Sequence, residues 1–126
     1  MKKIFIVLAF SLVSGFIFSQ KPDSCKLIAK NALSFFPKNE FEKVSAFFDD
    51  TLKKNLPSDK LGMVWKSLEQ QAGSFEKTAN DSVYNMNGYC IVDIHCIFKN
   101  GKLIFKTSYD KNYKIAGIFF VPEQKK

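Results

Sequence analysis

Few residues of this sequence have the chemistry that catalysis needs. His95 is the only histidine, so a nucleophile-histidine-carboxylate triad or a histidine general base has one possible centre. Asp93 stands two residues earlier, and in a strand this spacing puts both side chains on one face, about 7 Å apart. No serine occupies the glycine-flanked elbow that hydrolases use for their nucleophile. We therefore predict no catalytic residue and interpret His95 as part of an ion pair or of a contact surface.

Three cysteines, Cys25, Cys90 and Cys96, are the other reactive side chains. Cys90 and Cys96 lie six residues apart, which is roughly 20 Å along an extended strand and too far for a disulfide. Cys25 has the reach to bridge one of them, although buried free thiols are the favoured interpretation. A metal site made of Cys90, His95 and Cys96 would need adjacent residues that face opposite ways. We therefore predict no metal and no cofactor.

Aromatic side chains could line a pocket for a small apolar or sugar-like ligand. The candidates for this pocket are Phe47, Phe48, Trp65, Phe105 and Tyr109. Plain core packing is the alternative for all of them. Beside the first two, Asp49 and Asp50 could supply a general base if burial raised the pKa of one carboxyl group, and otherwise form the solvated edge of a helix.

The helices and strands that position these residues are indicated by the hydrophobic spacing. It is helical in the first part of the chain and alternating in the second. Helices are predicted over residues 24–36, over 39–54 with Asn39 and Glu42 as a capping box, and from a Ser58 cap to a Gly73 stop. Strands are predicted near 74–86, 89–99, 102–109 and 113–121. Asn-Gly pairs at 87–88 and 100–101 predict turns with positive backbone dihedrals, and 110–112 predict the last turn. The pattern indicates one α+β domain in which three N-terminal helices pack on a four-stranded, mainly antiparallel sheet.

Alternation along the strands predicts two faces of different character. The helix-packed face carries Cys90, Val92, Ile94, Cys96 and Phe98, joined by Leu103, Phe105 and Tyr109. The opposite face has too much apolar surface to leave in water as one patch. Its predicted contact residues are Ile91, His95, Ile97, Ile104, Ile118 and Phe120. We expect a homodimer or another envelope protein on this face, the alternative being a cover formed by the C-terminal tail or the first strand.

The first twenty residues have the pattern of a secretory signal peptide. Lys2 and Lys3 precede an apolar run over residues 4–18, which is short for the roughly twenty residues of a membrane span. An uncleaved anchor is the alternative. We expect cleavage near residue 20, an exported protein in the periplasm or outside the cell, and a single domain over 21–126 with no transmembrane anchor.

The net charge of +7 looks like a signature of nucleic-acid binding, but its composition argues otherwise. The leader holds two of the 19 basic residues, which leaves 17 against 12 acidic ones, or +5. All are lysines, scattered along the chain, whereas groove and phosphate recognition usually recruits arginine. We therefore expect no nucleic-acid partner and interpret the lysines as a solvated surface.

A set of structural residues resembles a known family. The set consists of Phe41, Phe47-Phe48, Leu56-Pro57, Lys60-Leu61, Trp65, Gly73 with Phe75, and Gly117-Ile118-Phe119-Phe120. It is similar to bacterial exported domains of unknown function that look like members of the nuclear transport factor two superfamily and that elsewhere precede secreted α/β-hydrolases. The resemblance implies a cone-shaped α+β fold with a pocket between helices and sheet, and it carries over no catalytic residue.

These observations favour a noncatalytic module that binds a small ligand or another protein. Two alternatives remain open at the level of sequence. One is a small isomerase or lyase with Asp49 or Asp50 as its base. The other is an accessory subunit of an exported hydrolase.

Overall fold

The computed structural model describes residues 22–123, so the predicted leader lies outside the described residues. Helices come first and strands follow. The helices are α1 (Pro22–Phe35), α2 (Phe41–Ser45), α3 (Asp50–Asn55) and α4 (Ser58–Ala72), and the strands are β1 (Phe75–Met86), β2 (Tyr89–Phe98), β3 (Gly101–Tyr109) and β4 (Ile115–Pro122). The strands pair antiparallel in the order β1-β2-β3-β4. The α+β class and the four-stranded sheet are thereby confirmed, whereas the prediction of three helices is wrong.

The predicted second helix, 39–54, is split into α2 and α3 by a long-range backbone bridge. Phe48 forms a parallel bridge with Ile115, the first residue of β4. The Ile115 amide donates to the Phe47 carbonyl, and the Asp49 amide donates to the Ile115 carbonyl, both at 2.8 Å. Extended backbone is needed for these bonds, so the helix stops before Phe47 and a new one begins after Asp49.

The caps of the helices differ from those predicted. The capping box is wrong, because Asn39 has a φ of 60° and Glu40, which precedes α2, makes no side-chain cap bond. The Ser58 cap is wrong too, since Ser58 is already the first helical residue of α4 and Pro57 precedes it. The predicted stop at Gly73 is confirmed. Its φ is 83°, and a Cβ there would lie 2.9 Å from the Lys99 Cβ.

One of the two Asn-Gly turns has the predicted geometry. Asn87 and Gly88 have φ values of 53° and 85° and join β1 to β2. The positive dihedrals predicted at Asn100 and Gly101 are wrong, because neither residue has a positive φ and Gly101 already pairs with Phe98 in the sheet.

That second turn is held from outside the hairpin. The Lys99 amide donates to the Ser74 carbonyl at 2.9 Å, and the Asn100 amide donates to the Ala72 carbonyl at 2.7 Å. The turn between β2 and β3 therefore packs against the junction between α4 and β1. These two backbone hydrogen bonds hold its conformation, and positive φ values at Asn100 and Gly101 do not.

The helix-packed face of the sheet, called the inner face below, has the predicted composition in β2. Its five predicted residues from Cys90 to Phe98 are all buried, and Phe105 and Tyr109 of β3 are buried beside them. Helix α1 covers this face with an apolar stripe at helical spacing. The buried residues from Cys25 to Phe36 are Cys25, Ala29, Ala32, Leu33 and Phe36.

In β4 the predicted assignment of faces is wrong for Ile118 and Phe120. Tyr109 pairs with Ile115 but Ser108 pairs with Gly117, so Ala116 is an extra residue on β4. A one-residue slip exchanges the faces of every later side chain. Ile118 and Phe120 consequently pack against the core, while Phe119 lies on the opposite, outer face.

Candidate interaction surface

The residues predicted to line a pocket are packed together instead of surrounding an open space. Phe48, Trp65, Phe105 and Tyr109 are at most 1% exposed. Ring centroids of Phe105 and Phe120 are 5.0 Å apart, and those of Trp65 and Phe120 are 5.7 Å apart. Contacts this close are those of a solid aromatic core. Phe47 is half-buried and stacks on Phe35 at 6.4 Å, outside this cluster.

Trp65 alone of the five borders one of the described surface depressions. This groove of about 440 Å³ runs between the start of α2 and the flank of α4, beside Phe41, Gly62 and Met63. The indole Nε1 of Trp65 is buried and has no hydrogen-bond partner within residues 22–123. A ligand-binding role for these aromatic residues stays a prediction.

The candidate carboxylates have structural positions. Asp49 caps α3, where its Oδ1 accepts the Leu52 amide hydrogen at 2.8 Å. Asp50 is exposed in the first turn of the same helix. Asp49 is half-buried and Asp50 is exposed, so neither carboxylate is enclosed in the interior of the fold. Within residues 22–123, no three histidine, cysteine or acidic residues are grouped so that they could hold a metal ion.

The outer face of the sheet is organised around an ion pair between neighbouring strands. Lys106 Nζ lies 2.9 Å from Asp93 Oδ1 and donates to the Tyr84 hydroxyl at 2.8 Å. That hydroxyl donates in turn to Asp93 Oδ2 at 3.3 Å. Desolvation opposes the charge on Lys106, but the bonds to Asp93 and Tyr84 outweigh it and raise the pKa of the lysine. The network keeps both charges paired in the middle of the face.

Exposed apolar side chains lie next to this network. Met86, Tyr89 and Phe119 are 53%, 44% and 58% exposed, and they lie close enough together to form one patch. Together with Ile91 and Lys106 they border a shallow cavity of about 240 Å³. Because apolar surface tends to leave water, a concave apolar patch beside a neutralised ion pair favours contact with another molecule.

The far end of the outer face has a second polar pair. His95 Nδ1 lies 2.8 Å from Glu123 Oε1, beyond the end of β4. His95 and Asp93 therefore take partners from other strands and not from each other. Half-buried apolar residues continue the face around them, namely Ile97, Ile104 and Val121.

The structure thus brings together four of the six predicted contact residues and excludes two. Ile91, His95, Ile97 and Ile104 share the outer face, whereas Ile118 and Phe120 belong to the core. Three further members of the surface, Met86, Tyr89 and Phe119, were not among the predicted contact residues. Tyr89 lies two residues before Ile91, and this alternation indicates that both are on the same face of β2. Phe119 had no such signal, because the bulge at Ala116 reverses its face.

The fold therefore consists of helices and a sheet with an aromatic core between them. The outer face of the sheet carries exposed apolar side chains and is uncovered within the described part of the chain. The family model described as "Protein of unknown function (DUF3887)" matches residues 29–118. The chain belongs to this family. The match confirms the resemblance to a family of domains of unknown function and assigns no activity.

Among solved structures, the chain is similar in fold to a protein studied by NMR. This protein is described as "NMR structure of protein from Ruminococcus gnavus ATCC 29149", and it is superimposed with a TM-score of 0.58 at 15% sequence identity. The alignment covers 80% of this chain and 90% of the other. At this identity the likeness shows the fold alone. No curated protein matches the chain. In residues 22–123 no helix combines the length and the apolar character that crossing a membrane requires.

Proposed function

We propose that this protein is an exported, noncatalytic interaction module that associates with a second copy of itself through the outer face of the sheet. The observation that carries the proposal is the concave apolar patch of Met86, Tyr89 and Phe119 beside the Asp93–Lys106 ion pair. An interaction role accounts for surface that a monomer would otherwise leave in water.

The distribution of charge favours a second copy of this chain as the molecule that binds to the outer face. Without the predicted leader the chain has 17 basic and 12 acidic residues, a net charge of +5, which disfavours self-association through most of its surface. On the outer face, however, Asp93 neutralises Lys106, and Glu123 lies against His95. A surface that carries both signs beside apolar side chains can be complementary to itself across a two-fold axis, as an isologous dimer requires.

The size of the face also bears on the proposal. A standard protein interface buries about 800 Å² on each partner, which is more than one corner of a four-stranded sheet offers. The second copy therefore has to cover β2, β3 and β4 from the turn at Asn87 to the His95–Glu123 pair. Edge-on contact at the Phe119 corner alone would be too small for a stable dimer.

The finer fold and the destination of the protein belong to the same proposal. Helices that precede a four-stranded antiparallel meander, with their apolar sides on its inner face, support membership of the nuclear transport factor two superfamily. The pattern of residues 1–20 supports export to the periplasm or the cell exterior. Fractionation of the expressing cell, with the amino terminus of the mature chain determined by mass spectrometry, tests the destination. An intact amino terminus in the cytoplasmic fraction would contradict it.

The two alternative functions have less support. A base in the interior would need a buried carboxylate, and Asp49 is engaged at the helix cap while Asp50 is exposed. No described residue favours a hydrolase partner over a second copy. The interaction module is therefore the function that the site supports best.

Sedimentation velocity over a concentration series tests self-association. We expect the wild-type chain to shift from monomer towards dimer as concentration rises. Phe119→Asp should weaken the dimer at least about tenfold, because it puts a charge into the centre of the apolar patch. Leu27→Asp is the matched control, since Leu27 is 62% exposed on α1 and should leave the dimer unchanged.

Two results would contradict the proposal. The first is a wild-type protein that stays monomeric at the highest attainable concentration. The second is equal weakening by Phe119→Asp and by Leu27→Asp, which would place the contact elsewhere. Circular dichroism of each variant verifies that the fold is intact.

A further inference from the structure

Two of the three cysteines lie close together beneath α1. Cys25 is on α1 and Cys90 is on the inner face of β2, and they are 0% and 1% exposed. The helix and the strand that carry them pack against each other, and the two free thiols are close enough for each to affect the pKa of the other. Three helices and β1 lie between them in the sequence, so a link at this point would join the first helix to the sheet.

Cys96 is buried on the same strand face but makes a different contact. Its thiol donates to the Ile94 carbonyl at 3.5 Å, within its own strand. Six residues of extended strand separate it from Cys90, which rules out a bridge between these two. The three cysteines are therefore sorted by the fold into one adjacent pair and one isolated thiol.

We propose that Cys25 and Cys90 form a disulfide bond as the chain folds in an oxidising compartment, fastening α1 to β2, and that Cys96 remains a thiol. Each cysteine loses its sulfur-bound hydrogen, and one sulfur-sulfur bond forms. The two electrons and two protons pass to a disulfide oxidant, such as oxidised glutathione or a protein disulfide, whose own sulfur-sulfur bond breaks to give two thiols.

The bond has to form before the core closes. Burial raises the pKa of the Cys25 thiol to about 12 and also raises that of Cys90, although the neighbouring Cys25 thiol partly offsets the rise at Cys90. Thiolates are the reactive species, so both groups are unreactive once the protein is folded. A disulfide made during folding is protected from reductants by the same burial. It serves as a structural link and not as a reversible switch.

A small exported domain gains from such a link. The bond closes a loop of more than sixty residues, and crosslinks of long loops restrict the unfolded chain most. The proposal uses the oxidising compartment that export would supply, but the chemistry can be tested without it. Failure of export and failure of the bond are therefore distinguishable.

The test is oxidative refolding of the full chain. Protein unfolded with denaturant and reductant is refolded in a mixture of reduced and oxidised glutathione, digested without reduction, and mapped by mass spectrometry. We expect one peptide pair linked through Cys25 and Cys90, and one free thiol for each chain when thiols are counted in denaturant. The oxidised protein should melt on the order of 10 °C above the reduced protein.

Variants separate the pair from the third cysteine. Cys96→Ala should keep the linked peptides and the difference in melting temperature, whereas Cys25→Ala and Cys90→Ala should each abolish both. Three free thiols in the refolded wild type would overturn the proposal, as would a bond from Cys25 to Cys96. Because the wild-type map decides the matter by itself, a variant that fails to fold does not rescue the proposal.

Discussion

The inner and outer faces of the sheet are both rich in large apolar residues, yet they have opposite fates. On the inner face, side chains from Cys90 to Phe98 are buried against helices. On the outer face, Phe119 and Met86 are more than half exposed. The contrast shows that hydrophobicity predicts which residues need a partner, whereas the fold determines which of them find one within the same chain.

The two faces also use charge differently. At the inner edge of β1, Asp81 is held by Lys26 at 3.2 Å and Lys30 at 3.4 Å, both from α1. This cluster spans helix and sheet at the border of the core. On the outer face, Asp93 and Lys106 belong to adjacent strands of one sheet. The first arrangement joins two layers of the fold, while the second pairs two opposite charges within the outer face.

The largest expected effect is the difference in unfolding free energy between a substitution in the core and one on the outer face. Trp65→Ala should lower the free energy of unfolding by about 3–5 kcal/mol, because its ring is surrounded by Phe36, Phe98 and Phe120 and leaves a cavity. Phe119→Ala should cost less than about 1 kcal/mol when measured on dilute monomer, since its ring is mostly in water. Denaturant unfolding measures both. Equal costs would contradict the division between a packed and an uncovered face.

An intermediate effect concerns the outer ion pair. Lys106→Met should cost roughly 1 kcal/mol, because it leaves the mostly buried Asp93 carboxylate with the Tyr84 hydroxyl and no cation. Lys102→Met, at an exposed position of the same strand, should change stability by less than about 0.5 kcal/mol. If the two variants behave alike in denaturant unfolding, the pair does not stabilise the face.

The smallest effect should be present at neutral pH and disappear in acid. Burial would raise the pKa of Asp81, but Lys26 and Lys30 outweigh it and lower the pKa below its ordinary value of 3.8. A depressed pKa stabilises the fold fully above the ordinary value and progressively less as pH falls through the lowered one. Asp81→Asn should therefore lose up to about 1 kcal/mol at neutral pH and converge with wild type below that window.

The control for this prediction is Glu76→Gln, at an exposed position of the same strand. Its unfolding free energy should run parallel to that of wild type as pH falls. A difference between Asp81→Asn and wild type that stays constant down to the most acidic pH would mean that the ion pairs are not its source.

Local pattern was sufficient for several parts of the fold. Alternation from Cys90 to Phe98 predicted the inner face of β2, because a strand buried on one side leaves a two-residue period. Asn87-Gly88 predicted its turn, since both residues tolerate a positive φ. Gly73 predicted the end of α4 for the same reason. Each of these features depends on residues that are neighbours in sequence.

The errors share a different cause, which is contact between distant segments. The bridge from Phe48 to Ile115 ends α2, although residues 39–54 have a helical hydrophobic pattern. For the candidate surface, alternation predicted Ile91, His95, Ile97 and Ile104 but missed Phe119. The bulge at Ala116 accommodates the pairing of β4 with β3. Gly117 inside the strand is compatible with a bulge beside it, but the local pattern does not determine which residue is the extra one.

By itself the sequence determined an α+β domain, a leader-like segment and an absence of catalytic motifs. It also contained more aromatic residues than one face of a small sheet can bury. Tertiary structure decided where those residues go. Phe120 enters the core and Phe119 enters the candidate surface because one extra residue on β4 reverses the pleat. Cys25 comes close to Cys90 because α1 packs against β2. A strand places its side chains by local geometry, but which side becomes the interior depends on the elements that pack against it.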